Sequence, residues 1–87
     1  MKIRFHEVAW NRYLDWQQTD KAMTRRINAM IKEIQRHPFT GTGKPEPLRG
    51  DLSGYWSRRI DDRNRLVYRV EGDEVTIAQC GGHYSRH

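Results

Sequence analysis

Four residue types able to move protons or hold phosphate gather in the second half of the chain, and their chemistry can be read before any fold is drawn. Glu46 stands between Pro45 and Pro47, so two fixed φ angles stiffen the backbone and aim the carboxylate with little entropy to lose. That suits a general base, and it equally suits a structural turn. Arg65 and Arg69 alternate with apolar residues, and Arg58 and Arg59 precede them. Guanidinium groups arrayed on one sheet face offer planar, forked donors matched to phosphate oxygens. His83 carries the side chain whose ordinary pKa, ~6.5, lies close to neutrality, and beside an arginine-bound phosphate its protonated form is favoured. Tyr84 adds a ring that can stack on a base or a hydroxyl that can donate. Together these form the minimum set for metal-free RNA cleavage. A base takes the ribose 2′-hydroxyl proton, arginine holds the charge of the phosphorane, and an acid protonates the departing 5′-oxygen. Proton-transfer groups contribute ~10²–10⁴-fold each; preorganised donors contribute ~10²–10³ each. DNA lacks the attacking hydroxyl, so this chemistry selects RNA. Taken one at a time, a strand arginine or a terminal histidine is more often ordinary solvated surface; the combination is what points to a site.

These groups need elements to hold them. Residues 2–6 alternate Ile3 and Phe5 with Lys2 and Arg4, the pattern of a strand with one wet face. Trp10, Tyr13, Leu14 and Gln17 then follow helical spacing and predict a helix over residues 7–17 whose aromatic stripe is core. Thr19 or Asp20 offers the N-cap of a second helix, with Met23, Ile27, Met30, Ile31 and Ile34 on one apolar face and Arg25, Arg26, Lys32 and Glu33 on the surface. Pro38 disfavours helical geometry at His37, so that helix should end near Arg36. Residues 38–54 hold four glycines and three prolines and read as a long loop anchored by Phe39 and Leu48. Period-2 patterning returns at residues 55–60, 65–70 and 74–80, joined by short polar turns.

The fold class expected is α+β, in the order β-α-α-β-β-β, with an antiparallel sheet, both helices on one face and the other face open. Leu66, Tyr68 and Val70 should face the helices, leaving Arg65 and Arg69 on the open side; Arg58 or Arg59 joins them according to a register that sequence does not fix. Cys80 ends a strand and reads as a small buried hydrophobe, while His6, His37 and His87 read as surface groups.

The 87 residues make one domain, 1–87, and the single cysteine excludes an internal disulfide. No apolar run reaches the ~18 residues that span a bilayer. No secretory leader is legible and no metal-ligand spacing is found, so a soluble, cytoplasmic protein without cofactor is expected. A net charge of +5 points to a polyanionic partner.

"GKPEPL" (43–48), "LSGYWSRRI" (52–60), "RLVY" (65–68) and the terminal "HY" (83–84), in this order, resemble the YoeB (Txe) family of bacterial toxins in the RelE/ParE superfamily. "YLDWQQTDK" (13–21) is similar to the family's first helix and turn. The resemblance covers residues 1–84 and implies a fold similar to microbial ribonucleases. It further implies a ribosome-dependent endoribonuclease that cuts translated messenger RNA in the decoding site without a metal, leaving a 2′,3′-cyclic or 3′-phosphate and a 5′-hydroxyl. By the same resemblance Glu46 matches the general base, Arg65 the transition-state arginine, His83 the general acid and Tyr84 a tyrosine that contacts the nucleotide. Arg59, Arg58, Arg49, Lys44 and Arg69 complete the candidate phosphate-binding set. A YefM-type antitoxin with an acidic, disordered tail is the implied partner, beside the ribosome and its message, and a homodimer is a further candidate assembly. Arg49 stands where the family pattern has lysine, Gly81-Gly82 replace a basic and an aromatic residue, and Ser85-Arg86-His87 extend past the usual terminus. Two other readings compete: a ParE-like gyrase inhibitor, against which the Glu-Arg-His-Tyr set weighs, and a ribosome- or RNA-binding module that cuts nothing.

Overall fold

The computed structural model describes residues 1–82. The chain opens with β1 (Lys2–Phe5), followed by α1 (Glu7–Thr19) and α2 (Lys21–Arg36). The Asp20 carboxylate accepts from the Met23 backbone N–H at 2.9 Å, so the second of the two N-cap candidates starts α2. Met23, Ile27, Met30 and Ile34 are buried along one face, and α2 stops at Arg36, two residues before Pro38.

After the loop come β2 (Glu46–Pro47), a single 3₁₀ turn (Gly50–Leu52), β3 (Tyr55–Arg59), β4 (Arg65–Glu71) and β5 (Glu74–Cys80). The strands form one sheet in the order β1-β5-β4-β3-β2. Leu66, Tyr68, Val75, Ile77 and Cys80 meet Ala9, Met23, Ile27, Met30 and Ile34 in the core, with Val70 packed at its margin.

Three features refine the expected outline. The sheet is mixed: β1 runs parallel to β5, with Ile3 opposite Val75 and Phe5 opposite Ile77, while every other pair is antiparallel. The loop is not wholly irregular either, because Glu46 pairs with Ser57 and Pro47 with Trp56 at the sheet edge. An edge is where a residue without an N–H fits a ladder. Finally, the α1 stripe is not core as expected. Trp10 and Leu14 are 44% and 39% exposed, and the buried position is Ala9, with Tyr13 and Trp16 packed against the core. Trp10 and Tyr13 instead gather around Phe5, ring centroids 5.3 Å from each. The helix is rotated so that a small residue sits against the sheet and the indole of Trp16 reaches the end of β5.

Candidate active site

The site depends on how residues 37–47 are held, and β3 does the holding with one buried side chain and with its edge backbone. On the helix side Arg58 is fully buried, and its guanidinium uses every N–H it has. Nη2 donates to the carbonyls of His37 at 2.6 Å and Thr40 at 2.8 Å; Nη1 donates to the Thr42 carbonyl at 3.2 Å and to the Glu33 carboxylate; Nε donates to the Tyr68 hydroxyl at 3.0 Å. The Tyr68 hydroxyl then donates to the Pro38 carbonyl at 2.6 Å. Glu33 also accepts from the Thr42 backbone N–H at 2.7 Å and its hydroxyl at 3.1 Å. The Thr42 amide, more than any other contact, holds the Glu33 carboxyl below its usual range, against a partial burial that works the other way.

Along the edge of β3, the Arg59 backbone N–H donates to the Gly43 carbonyl at 2.8 Å. Gly43 has φ +85°, and a β-carbon there would stand 2.6 Å from the Arg59 carbonyl oxygen, so only glycine allows this approach. Three residues later the chain pairs as β2.

That pairing sets the chemistry. Glu46, Ser57, Arg59 and Arg65 all fall on the sheet face away from the helices, with Glu46 opposite Ser57 and Arg59 opposite Arg65. Glu46 Oε1 lies 3.5 Å from Arg65 Nη1, and the same nitrogen is 3.4 Å from the Ser57 hydroxyl oxygen. The Glu46 side chain is half exposed and that of Arg65 mostly buried, so a carboxylate and a guanidinium meet at a solvent-facing patch with a supporting wall beneath.

The described chain also ends here. Gly81 donates its N–H to the Arg65 carbonyl at 2.8 Å, and the Arg65 N–H donates to the Gly82 carbonyl at 2.9 Å. Asn64 Oδ1 accepts from the Gly82 N–H at 2.7 Å, while its amide nitrogen donates to Asp61. Trp16 Nε1 donates to the Cys80 carbonyl at 2.9 Å. Gly81 has φ +112°, and a β-carbon on it would stand 2.8 Å from the same indole nitrogen. The two glycines therefore continue the pairing with Arg65 instead of loosening it.

The expected residues separate accordingly. Glu46, Arg65 and Arg59 come together. Arg69 shares their face but lies four residues along β4 from Arg65, ~13 Å at strand rise; it pairs with Glu71 at 3.0 Å and lies over the Tyr55 ring. Lys44 and Arg49 are exposed at either side of Glu46, Lys44 with φ +51°. Arg58 needs correction as a phosphate ligand: it faces the helices, is shut away from solvent, and has spent its five donors on protein oxygens. Glu33, expected on the surface, is its counter-ion. His83 and Tyr84 lie outside the described residues. Burial pushes the Cys80 thiol up to about 12, which makes it a poor nucleophile.

Ser57, Asn64 and Trp16 were not singled out from sequence. Asn64 was readable as a turn residue beside Asp61, but a bond from the end of that turn to Gly82 is a tertiary fact. Among the described residues no cluster of His, Cys, Asp and Glu could hold a metal ion, and no helix is long and apolar enough to cross a membrane.

Toxin YoeB of Streptomyces coelicolor is 54% identical over 84 residues, spanning 97% of this chain and 100% of that protein. The YoeB/ParE toxin from Agrobacterium tumefaciens superposes with a TM-score of 0.94 at 48% identity, covering 97% of this chain and 100% of that one. YoeB of Staphylococcus aureus, solved as a dimer and in a heterotetrameric complex with YefM, has a TM-score of 0.89 at 44% identity, covering 97% and 98%. A family model for the YoeB-like toxin of bacterial type II toxin-antitoxin systems matches residues 5–84. The pairing of a proline-flanked carboxylate with a strand arginine thus sits in a chain that, by sequence and by fold, belongs to the YoeB-like toxins of bacterial type II toxin-antitoxin systems.

Proposed function

We propose that this chain is a metal-independent endoribonuclease that cuts messenger RNA in the decoding site of the translating ribosome. The observation that carries the reading is the 3.5 Å approach of Glu46 to Arg65 on the open sheet face, with Arg59 directly opposite Arg65. The Glu46 carboxylate removes the 2′-hydroxyl proton; the 2′-oxygen attacks the adjacent phosphorus; Arg65 and Arg59 hold the charge of the pentacoordinate phosphorane. The P–O5′ bond then breaks, and His83 gives the leaving oxygen its proton. A 2′,3′-cyclic phosphate and a 5′-hydroxyl result, and no electrons change hands. His83 is assigned on the family pattern and on its place in the chain, immediately after Gly82, whose carbonyl accepts from Arg65. Tyr84 is assigned the stacking of the neighbouring base.

The partners follow from the same reading: a YefM-type antitoxin, as in the Staphylococcus aureus complex, with an acidic segment that complements a chain of net charge +5. A homodimer is the form of the free toxin, and the cytoplasm, where ribosomes translate, is where it acts. Primer extension on a translated message tests the central claim. New 5′ ends inside codons are expected with the wild type, reduced ~10²–10³-fold in rate by Arg65→Ala and by Glu46→Ala while the unfolding midpoint hardly moves. Arrested translation on an intact message would leave a binding protein in its place.

A further inference from the structure

Arg58 lies on the face of β3 away from the Glu46–Arg65 pair, yet it is bonded to more of the loop leading to Glu46 than any other side chain. We infer that Arg58, with Glu33 and Tyr68, forms a positioning device that sets Glu46 for proton abstraction, an inference that rests on the general-base role proposed above for Glu46.

Three observations support it. The guanidinium collects the carbonyls of His37, Thr40 and Thr42, and Tyr68 collects that of Pro38, so four carbonyls over six residues converge on two neighbouring side chains. Such carbonyls, in a segment with neither helix nor ladder, have no backbone partner to fix them. Next, the network and β2 are nearly continuous. Thr42 is fixed by Glu33 and Arg58, Gly43 by the Arg59 amide, and only Lys44 and Pro45 intervene before Glu46 joins the ladder opposite Ser57. Pro45 has a locked φ, and Lys44 already sits at φ +51°, so this two-residue link has little slack. Finally, the network spans the fold: Glu33 comes from α2, Arg58 from β3 and Tyr68 from β4. Moving any of these elements moves the loop and the carboxylate with it. A displacement near 1 Å at a reacting group can cost ~10²-fold in rate.

Arg58 therefore acts through another residue and touches no substrate. A lysine could not replace it, since one ammonium has three donors where five are used.

Because Arg58→Ala could fail to fold, the test uses Tyr68→Phe and Glu33→Gln, which change one atom or one charge. Single-turnover cleavage of message on programmed ribosomes is measured beside ribosome affinity, in the wild-type and in a Glu46→Gln background. Each variant is expected to bind ribosomes as the wild type does and to cleave about 10- to 100-fold more slowly. In the Glu46→Gln background neither should slow the reaction further. Wild-type rates in both variants, weakened ribosome binding, or an equal slowing in both backgrounds would each overturn the positioning role. If Glu46→Gln alone cleaves at the wild-type rate, the general-base assignment fails and takes this inference with it; a slow Glu46→Gln with additive second variants sinks the inference alone.

Discussion

On one side of β3 the Arg58 guanidinium is sealed in the protein with five hydrogen bonds, while one residue on and on the other side, Arg59 stands in solvent opposite a second arginine. The residue type is the same and the backbones are adjacent; the pleat sends them to opposite faces. The difference is one of saturation. A buried charge is tolerable only when its donors are all met, so Arg58 has nothing left to offer a ligand. Arg65, opposite it, meets Glu46 at 3.5 Å, whereas the Arg59 side chain has no ion pair among the described residues and faces solvent beside a like charge. Where a guanidinium is fully satisfied it organises the fold; where it is left facing water beside another, it can hold phosphate.

Substitutions can break this contrast. Arg58→Ala should have the largest effect, costing at least about 3 kcal/mol, since it strands the loop carbonyls and the Glu33 charge. At about 4–8 °C per kcal/mol the melting temperature should fall by more than ~12 °C in a calorimetric scan. Gly81→Ala comes next, at about 1–3 kcal/mol, because φ +112° and the Trp16 indole both resist a β-carbon. Denaturant titration measures the loss, and cleavage should fall with it because the pairing to Arg65 is disturbed.

A smaller effect is expected from acid. Glu33 titrates below its ordinary value when folded, chiefly through the Thr42 amide. The stability it lends is thus full above the unfolded-state pKa near 4.5 and is lost as pH falls through the lower folded value. Denaturation midpoints followed from pH 7 to pH 3 should drop with a slope that is shallower in Glu33→Gln. The smallest stability effect should come from Arg59→Ala, within about 0.5 kcal/mol of wild type. Its consequence belongs to binding: ribosome affinity should depend less steeply on salt, by about one unit of the log–log slope. An Arg59→Ala protein that melts like Arg58→Ala would erase the distinction between the two sides.

Much of the molecule was legible from periodicity. The α2 stripe, the stop before Pro38 and the three C-terminal strands are local patterns, and each is found within a residue or so of its expected place. The aromatic stripe of α1 misled because amphipathicity alone does not say how a helix is rotated when a small residue, Ala9, permits closer packing. The parallel alignment of β1 was not legible, since strand order is decided between segments about seventy residues apart. At the site, Glu46 and Arg65 could be singled out as candidates from residue type and setting, and their 3.5 Å contact could not. Arg58 looked interchangeable with Arg59 for the same reason: which of two successive residues points inward depends on the register against β4.

The sequence by itself determined both helices and every strand but β2, the arginine-bearing sheet face and the candidate proton-transfer and phosphate-binding groups, because these follow from side-chain chemistry and from repeats of two or 3.6 residues. Only the tertiary structure decided that Arg58 is spent on the loop, that Arg59 and Arg65 face each other beside Glu46, and that Gly81 and Gly82 are tied to Arg65. Those are matters of register and of hydrogen bonds between residues far apart in the chain, and they are fixed when buried carbonyls and charges must all find partners at once.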